Sequence, residues 1–292
     1  MAKEFIQADG QQFETVVEPK NKVFDIDIKG LWKYKDLMLL FVKRNFISQY
    51  KQTVLGPAWA VIQPLLTTVV FTLVFGGIAG LAPGGVNSFV YYLCGNVFWQ
   101  YFANNLTMVS STFTANSSIF GKVYFPRLVL PISTVMTNLI SFAIQFAFFL
   151  VAWVIFLFVP GYTMTPGWQI VLLPVLLLQM ALLSLGCGII VSALTTKYRD
   201  LAMLVSFGVQ LWMYATPVAY SASMFSGSKW EFLYWCNPTC SIIETMRYAF
   251  MGSAAAQFKP LFLLISWAFT IVVLVIGVML FTKVEKTFMD TV

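Results

Sequence analysis

NSSIFGKVYFPRLVLP, residues 116–131, carries the two charged side chains, Lys122 and Arg127, that stand between Lys51 and Lys197. Positions 52–121 before Lys122 and positions 128–196 after Arg127 hold no Asp, Glu, Lys or Arg. A helix crossing the ~30 Å hydrocarbon core of a bilayer needs about 20 apolar residues, so each uncharged run has room for two crossings and an outer turn. Turn-forming residues fall where those turns are needed. GLAPGGVNS at 80–88 splits the first run into spans near 57–79 and 89–113, and VPGYTMTPGW at 159–168 splits the second into spans near 129–158 and 169–195. A fifth span near 201–220 follows Asp200, and a sixth fills 260–282. The expected fold class is an all-α polytopic membrane protein with six transmembrane helices.

Hydrophobic residues make up 59% of the chain and charged residues 10%, against roughly 45–50% and 25% in soluble domains. Histidine is absent, which excludes chemistry that needs an imidazole base or a histidine metal ligand. No GxxxxGK[ST], GxSxG or HExxH pattern occurs, so no nucleotide loop of its own and no familiar hydrolase site is expected, nor any cofactor or metal. The expected spans lack the ionisable groups that ion-coupled carriers place near the midplane. Energy for transport must then come from a partner. Of the four cysteines, Cys94 and Cys187 read as small buried hydrophobes. A bridge between Cys236 and Cys240 would span a proline under strain.

The formal net charge of +6 is spread in a way that gives orientation rather than a nucleic-acid site. Lys33, Lys35, Lys43, Arg44 and Lys51 precede span one; Lys122 and Arg127 separate spans two and three; Lys197 and Arg199 separate four and five; Lys283 and Lys286 follow six. The turns at 80–88 and 159–168 carry no charge. By the positive-inside rule both termini and both basic loops are expected in the cytoplasm. The first twenty residues are polar and mixed in charge, without the pattern of a signal peptide, and residues 1–29 read as a cytosolic tail.

LWKYKDLMLLFVKRNFISQYK, residues 31–51, is charged at both ends and in the middle, so it reads as an amphipathic helix over 30–52 lying in the cytoplasmic interface, ahead of a transmembrane domain over 53–292. Lys33, Asp36, Lys43, Arg44, Ser48 and Lys51 share one arc of it. At the other face of the membrane, Asn237-Pro238 supplies an N-cap and a first-turn proline, and Gly252 a stop, for a short helix in or dipping into the outer leaflet. Glu244 and Arg247 on it are three apart. They either keep that helix soluble at the interface or form an outer gate with Asn237 and Pro238.

Aromatic and amide side chains are the polar-capable groups inside the spans. Phe71, Trp99, Tyr101, Trp212 and Tyr214, with Gln63, are candidates for lining a path, since aromatic faces stack on sugar rings without demanding one hydroxyl pattern. The competing reading for each is packing or helix-to-helix hydrogen bonding.

Five motifs occur in order: QYKQTVLGPAWAVIQPLLTTVVFTLVFG at 49–76, KVYFPRLVLP at 122–131, KYRDL at 197–201, TPVAY at 216–220 and NPTCSIIETMR at 237–247. Together they resemble the ABC-2 type permease subunits of bacterial polysaccharide exporters, which move O-antigen, capsule or teichoic-acid polymers. The resemblance implies a homodimer working with two copies of a separate ATPase that holds the ATP and magnesium. It implies ATPase coupling through Lys122, Val123, Tyr124, Phe125, Pro126 and Arg127, with Tyr198, Arg199 and Asp200 as a second contact. Tyr50, Leu55, Gly56, Trp59 and Pro64 match the junction that flanks lateral access for a lipid-linked polysaccharide. The segment after span five matches re-entrant outer helices. The implied location is a bacterial inner membrane. An ABC-2 permease for a small lipid or drug is the nearest rival, and a membrane-embedded polyprenyl-sugar transferase a distant one, because Asp200 stands nearly alone among acidic residues in the short cytoplasmic loops.

Overall fold

The computed structural model describes residues 28–116, 119, 125–197 and 200–291, and every regular element among them is helical. Two helices, α1 (Ile28–Lys33) and α2 (Lys35–Tyr50), precede the bundle. The bundle is built from α3 (Trp59–Phe71), α4 (Ser88–Ser110), the short α5 (Thr112–Ala115), α6 (Val129–Leu157), α7 (Leu173–Lys197) and α8 (Leu201–Tyr214). Two shorter helices, α9 (Glu231–Trp235) and α10 (Pro238–Met251), lead to α11 (Pro260–Thr291).

Among the described residues four helical stretches are long and apolar enough to cross a membrane: Gly56–Ile78, Val129–Leu157, Trp168–Thr195 and Pro260–Val284. The other two expected spans differ for physical reasons. Helix α4 has 23 residues but includes Asn96, Gln100, Asn104 and Asn105. It tolerates them because it is the central helix, packed against α3, α6, α7, α8 and α10, with most of its side chains buried. Helix α8 has 14 residues and buries none. At 1.5 Å per residue it reaches about 21 Å, short of the ~30 Å core. The fifth span was expected to run to Tyr220, but the helix stops at Tyr214 and the chain turns, with Val218 N–H donating to Thr216 O at 2.7 Å. Helix α11 runs on to Thr291, nine residues past the expected end of span six at 282.

Close helix approach replaces a hydrophobic driving force in lipid, and α7 shows how. A Cβ added at Gly277 of α11 would lie 2.8 Å from Gly186 O of α7, and one added at Gly188 would lie 2.7 Å from Val109 Cβ of α4. Two glycines two residues apart thus let α7 touch a different neighbour on each side. Gly188→Ala is expected to cost about 1–3 kcal/mol through overpacking, measured as a lower melting temperature in detergent.

Helix α3 departs from a regular hydrogen-bond ladder. Pro64 removes one ladder hydrogen bond, and the hydroxyls of Thr67, Thr68 and Thr72 donate to carbonyls four residues back at 3.1, 2.7 and 2.8 Å. The helix then widens into a π-helical segment over Thr72–Ile78, where Ala79 N–H donates to Val74 O at 2.8 Å. Asn96 of α4 fastens this stretch, donating to Pro64 O at 3.0 Å and Thr68 Oγ1 at 3.2 Å.

Helix α2 lies against α6. It buries Phe41 and Val42, while its outer face mixes Lys35, Asp36, Lys43 and Arg44 with exposed Leu39, Leu40 and Ile47. The charged arc expected from the sequence is therefore interleaved with apolar side chains instead of standing apart from them. Such a mixed face suits the headgroup boundary, where long cationic side chains bury their stems and keep their charge in water.

Candidate functional site

Two polar assemblies interrupt this apolar body. The first is a small cleft where the end of α2 meets α3, α4 and α6. Tyr50, Trp59, Gln63 and Pro64, named from the sequence, line it together. Gln100, Asn104, Ser141 and Gln145 line it from the other side. Tyr50 Oη and Ser141 Oγ share a hydrogen bond at 3.1 Å, which ties the end of α2 to the middle of α6. Leu55 and Gly56 sit outside this lining, in the connection to α3. Leu55 is exposed, and Gly56 takes φ +51°, a conformation that a side chain would strain. Beyond Gln49, which lines both, a wider opening of about 340 Å³ between α2, α4 and α6 is bordered by Arg44 and Asn116.

The second assembly is centred on Arg247 of α10. Its guanidinium donates to Tyr91 Oη at 2.8 Å, to Val218 O at 3.0 Å and to Pro217 O, and it stands 3.8 Å from the centroid of the Tyr91 ring. Glu244 Oε1 lies 3.5 Å away, and Gln257 N–H donates to the other carboxylate oxygen at 3.4 Å. Both charged side chains are wholly buried, so they do not keep α10 soluble at the interface. That helix is enclosed by protein, with 13 of its 14 residues buried. A Cβ at Gly95 of α4 would collide with the guanidinium, so glycine there makes its space. One arginine thus holds together α4, the TPVAY segment and α10.

Asn237 and Pro238 do what their sequence pattern predicts and more. The Asn237 side chain caps α10, accepting from Thr239 N–H at 3.2 Å. Its amide donates to Ala215 O at 3.0 Å and its oxygen accepts from Trp212 Nε1 at 3.2 Å, which pins the end of α8. Pro238 O accepts from Ser266 Oγ at 3.0 Å, and Ser266 in turn accepts from Gln179 Nε2 at 2.7 Å. Lys259 pairs with Glu231 and lies over Trp235 at 4.7 Å. The Lys259 ammonium, with the Gly227 N–H, holds the Glu231 carboxyl below its ordinary range. A depressed carboxylate stabilises above its unfolded pKa of about 4.3 and loses that contribution as pH falls below it. Glu231→Gln is expected to leave melting at pH 7 within a degree or two of the parent and to flatten any loss between pH 5 and pH 3, about what an exposed pair supplies.

The structure separates the candidates for a path. Phe71, Trp99 and Tyr101 are buried inside the protomer, and Trp212 packs edge-on against Phe102 at 5.1 Å. Tyr214 and Gln63 are exposed. Of the coupling candidates, Lys122, Val123, Tyr124, Tyr198 and Arg199 lie outside the described residues. Phe125 is buried, its ring 5.9 Å from that of Phe41 on α2. Pro126 and Arg127 are half-buried, and their carbonyls accept from Val129 and Leu130 N–H at 3.0 and 3.2 Å as α6 begins. Asp200 is exposed where α8 begins.

The family described as ABC-2 type transporter matches residues 36–251. The chain belongs to that family. It is 29% identical over 256 residues to the O-antigen export system permease protein RfbA of Klebsiella pneumoniae, a match covering 87% of this chain and 94% of that protein. It is 28% identical over 236 residues to the protein of the same name from Myxococcus xanthus, covering 80% and 87%. As an ABC-2 permease it is a multi-pass membrane protein and a transporter component rather than an enzyme. Sequence reasoning missed Tyr91 and Gly95, which receive the Arg247 guanidinium. The one trace of them was a glycine within the second expected span.

Proposed function

We propose that this permease carries a lipid-linked polysaccharide, of the O-antigen kind, across the bacterial inner membrane, driven by ATP hydrolysis in a separate partner chain. The observation that carries the reading is the similarity to permeases named for O-antigen export, which extends over 87% of the chain. The polar cleft beside α2 supports it, since lateral access for a glycan needs hydrogen-bonding groups within apolar surroundings.

In this reading two copies of the chain pair and two ATPase chains bind below them. Each copy crosses six times with both termini in the cytoplasm; α4 and α8 supply the crossings beyond the four long apolar helices. Lys122 to Arg127 take up motion from the ATPase, with Tyr198, Arg199 and Asp200 as the smaller contact. Phe125 passes it to α2 through Phe41. Tyr50, Leu55, Gly56, Trp59 and Pro64 border the lateral mouth, and Tyr214 and Gln63 face the polymer's path. The Glu244–Arg247 pair braces the outer end.

Deleting the gene in its native host tests this. Polymer is expected to vanish from the surface and accumulate inside on its lipid carrier, and the full-length gene restores export. Unchanged surface polymer, with a new sensitivity to small amphiphiles, would support the rival lipid or drug permease.

A further inference from the structure

Five carboxamide side chains converge on the cleft beside α2: Gln49, Gln63, Gln100, Asn104 and Gln145. Gln145 is 6% exposed and sits in the middle of an apolar span, where it lines the cleft. The neighbouring Asn105–Asn138 pair shows the other arrangement, with the amides bonded to each other at 2.9 Å.

Each carboxamide offers donors and an acceptor together, as does each hydroxyl of a sugar. The lining contains no Lys, Arg, Asp or Glu, so a phosphate or carboxylate has no counter-charge there. Trp59, about half exposed at the rim, adds a face on which a ring can stack. We infer that this cleft is a carbohydrate subsite within a single protomer. It takes one uncharged, hydroxyl-rich sugar unit of the polymer, away from any phosphate of its carrier. This inference rests on the polysaccharide reading and specifies which part of that cargo is held, and where.

The test places p-benzoylphenylalanine at Asn104 of the full-length permease, expressed with its ATPase in the native exporting strain. After irradiation the permease band is stained for carbohydrate by periodate oxidation. A high-mass carbohydrate adduct is expected at Asn104 and none at Leu178, which is exposed on α7. An adduct at Tyr214 but not Asn104, in cells that still display polymer, overturns the subsite and leaves export standing. No carbohydrate adduct at any position, with surface polymer independent of this gene, overturns the export reading itself. An adduct with phospholipid alone at Asn104 also overturns the subsite. As a second measurement, Gln145→Met is expected to slow export about three- to tenfold, the worth of a hydrogen bond or two, with unchanged melting. Export and melting falling together would make Gln145 a packing residue and overturn the proposal.

Discussion

Arg247→Met is expected to destabilise the permease by about 3–5 kcal/mol, the cost of stripping one partner from a buried ion pair. The arginine's hydrogen bonds to Tyr91, Pro217 and Val218 go with it, leaving carbonyls unpaired at the turn after α8 and the Glu244 carboxylate buried without its counter-charge. Burial outweighs pair attraction in such sites, so removing both charges is less harmful than removing one. The double variant Glu244→Gln with Arg247→Met is expected to recover part of the loss. Fluorescence-detected size exclusion after heating the detergent-solubilised protein would measure both. A single variant that melts with the parent would mean that the arginine does not hold α4, TPVAY and α10 together.

Reversing the basic pair Lys122 and Arg127, as Lys122→Glu with Arg127→Glu, is expected to cut export and permease-stimulated ATP hydrolysis by more than about tenfold, since like-charge contacts at an interface cost several kcal/mol. Yield is expected to stay near that of the parent. On the positive-inside reading the charges at Lys33, Lys35, Lys43, Arg44, Lys51, Lys197 and Lys283 still mark the inner side, so orientation is expected to survive. Phe125→Asp is a poor test of the same idea. Phe125 is buried against Phe41, and an aspartate there would damage packing before it reached any partner. Normal export from the double reversal would remove this loop from the coupling path.

Much of the fold was legible because bilayer constraints are written locally. Charge-free runs, the turn residues at 80–88 and 159–168, and the cap formed by Asn237, Pro238 and Gly252 each act within a few neighbours. The length of α8 was not legible, because its stop at Tyr214 depends on Asn237 and Arg247 drawing the next residues away, through contacts 22 to 30 positions apart in sequence. The role of Arg247 was half legible: its neighbour Glu244 is on the same helix, but Tyr91 is 156 residues away. Likewise Tyr50 and Trp59 were found near one another in sequence, while Gln100, Asn104 and Gln145 complete their cleft from two other helices. A periodicity argument sees one helix face at a time and cannot bring three together.

The central claim is that this chain passes a polysaccharide through the membrane at the expense of ATP spent elsewhere. Its most direct test is to co-purify the permease with its partner ATPase, reconstitute the complex in sealed vesicles, and supply lipid-linked polymer extracted from the producing strain. The account predicts that the polymer becomes accessible to a glycosidase on the far side only when ATP is hydrolysed. Polymer that stays protected while ATP hydrolysis drives a small amphiphile across would contradict it.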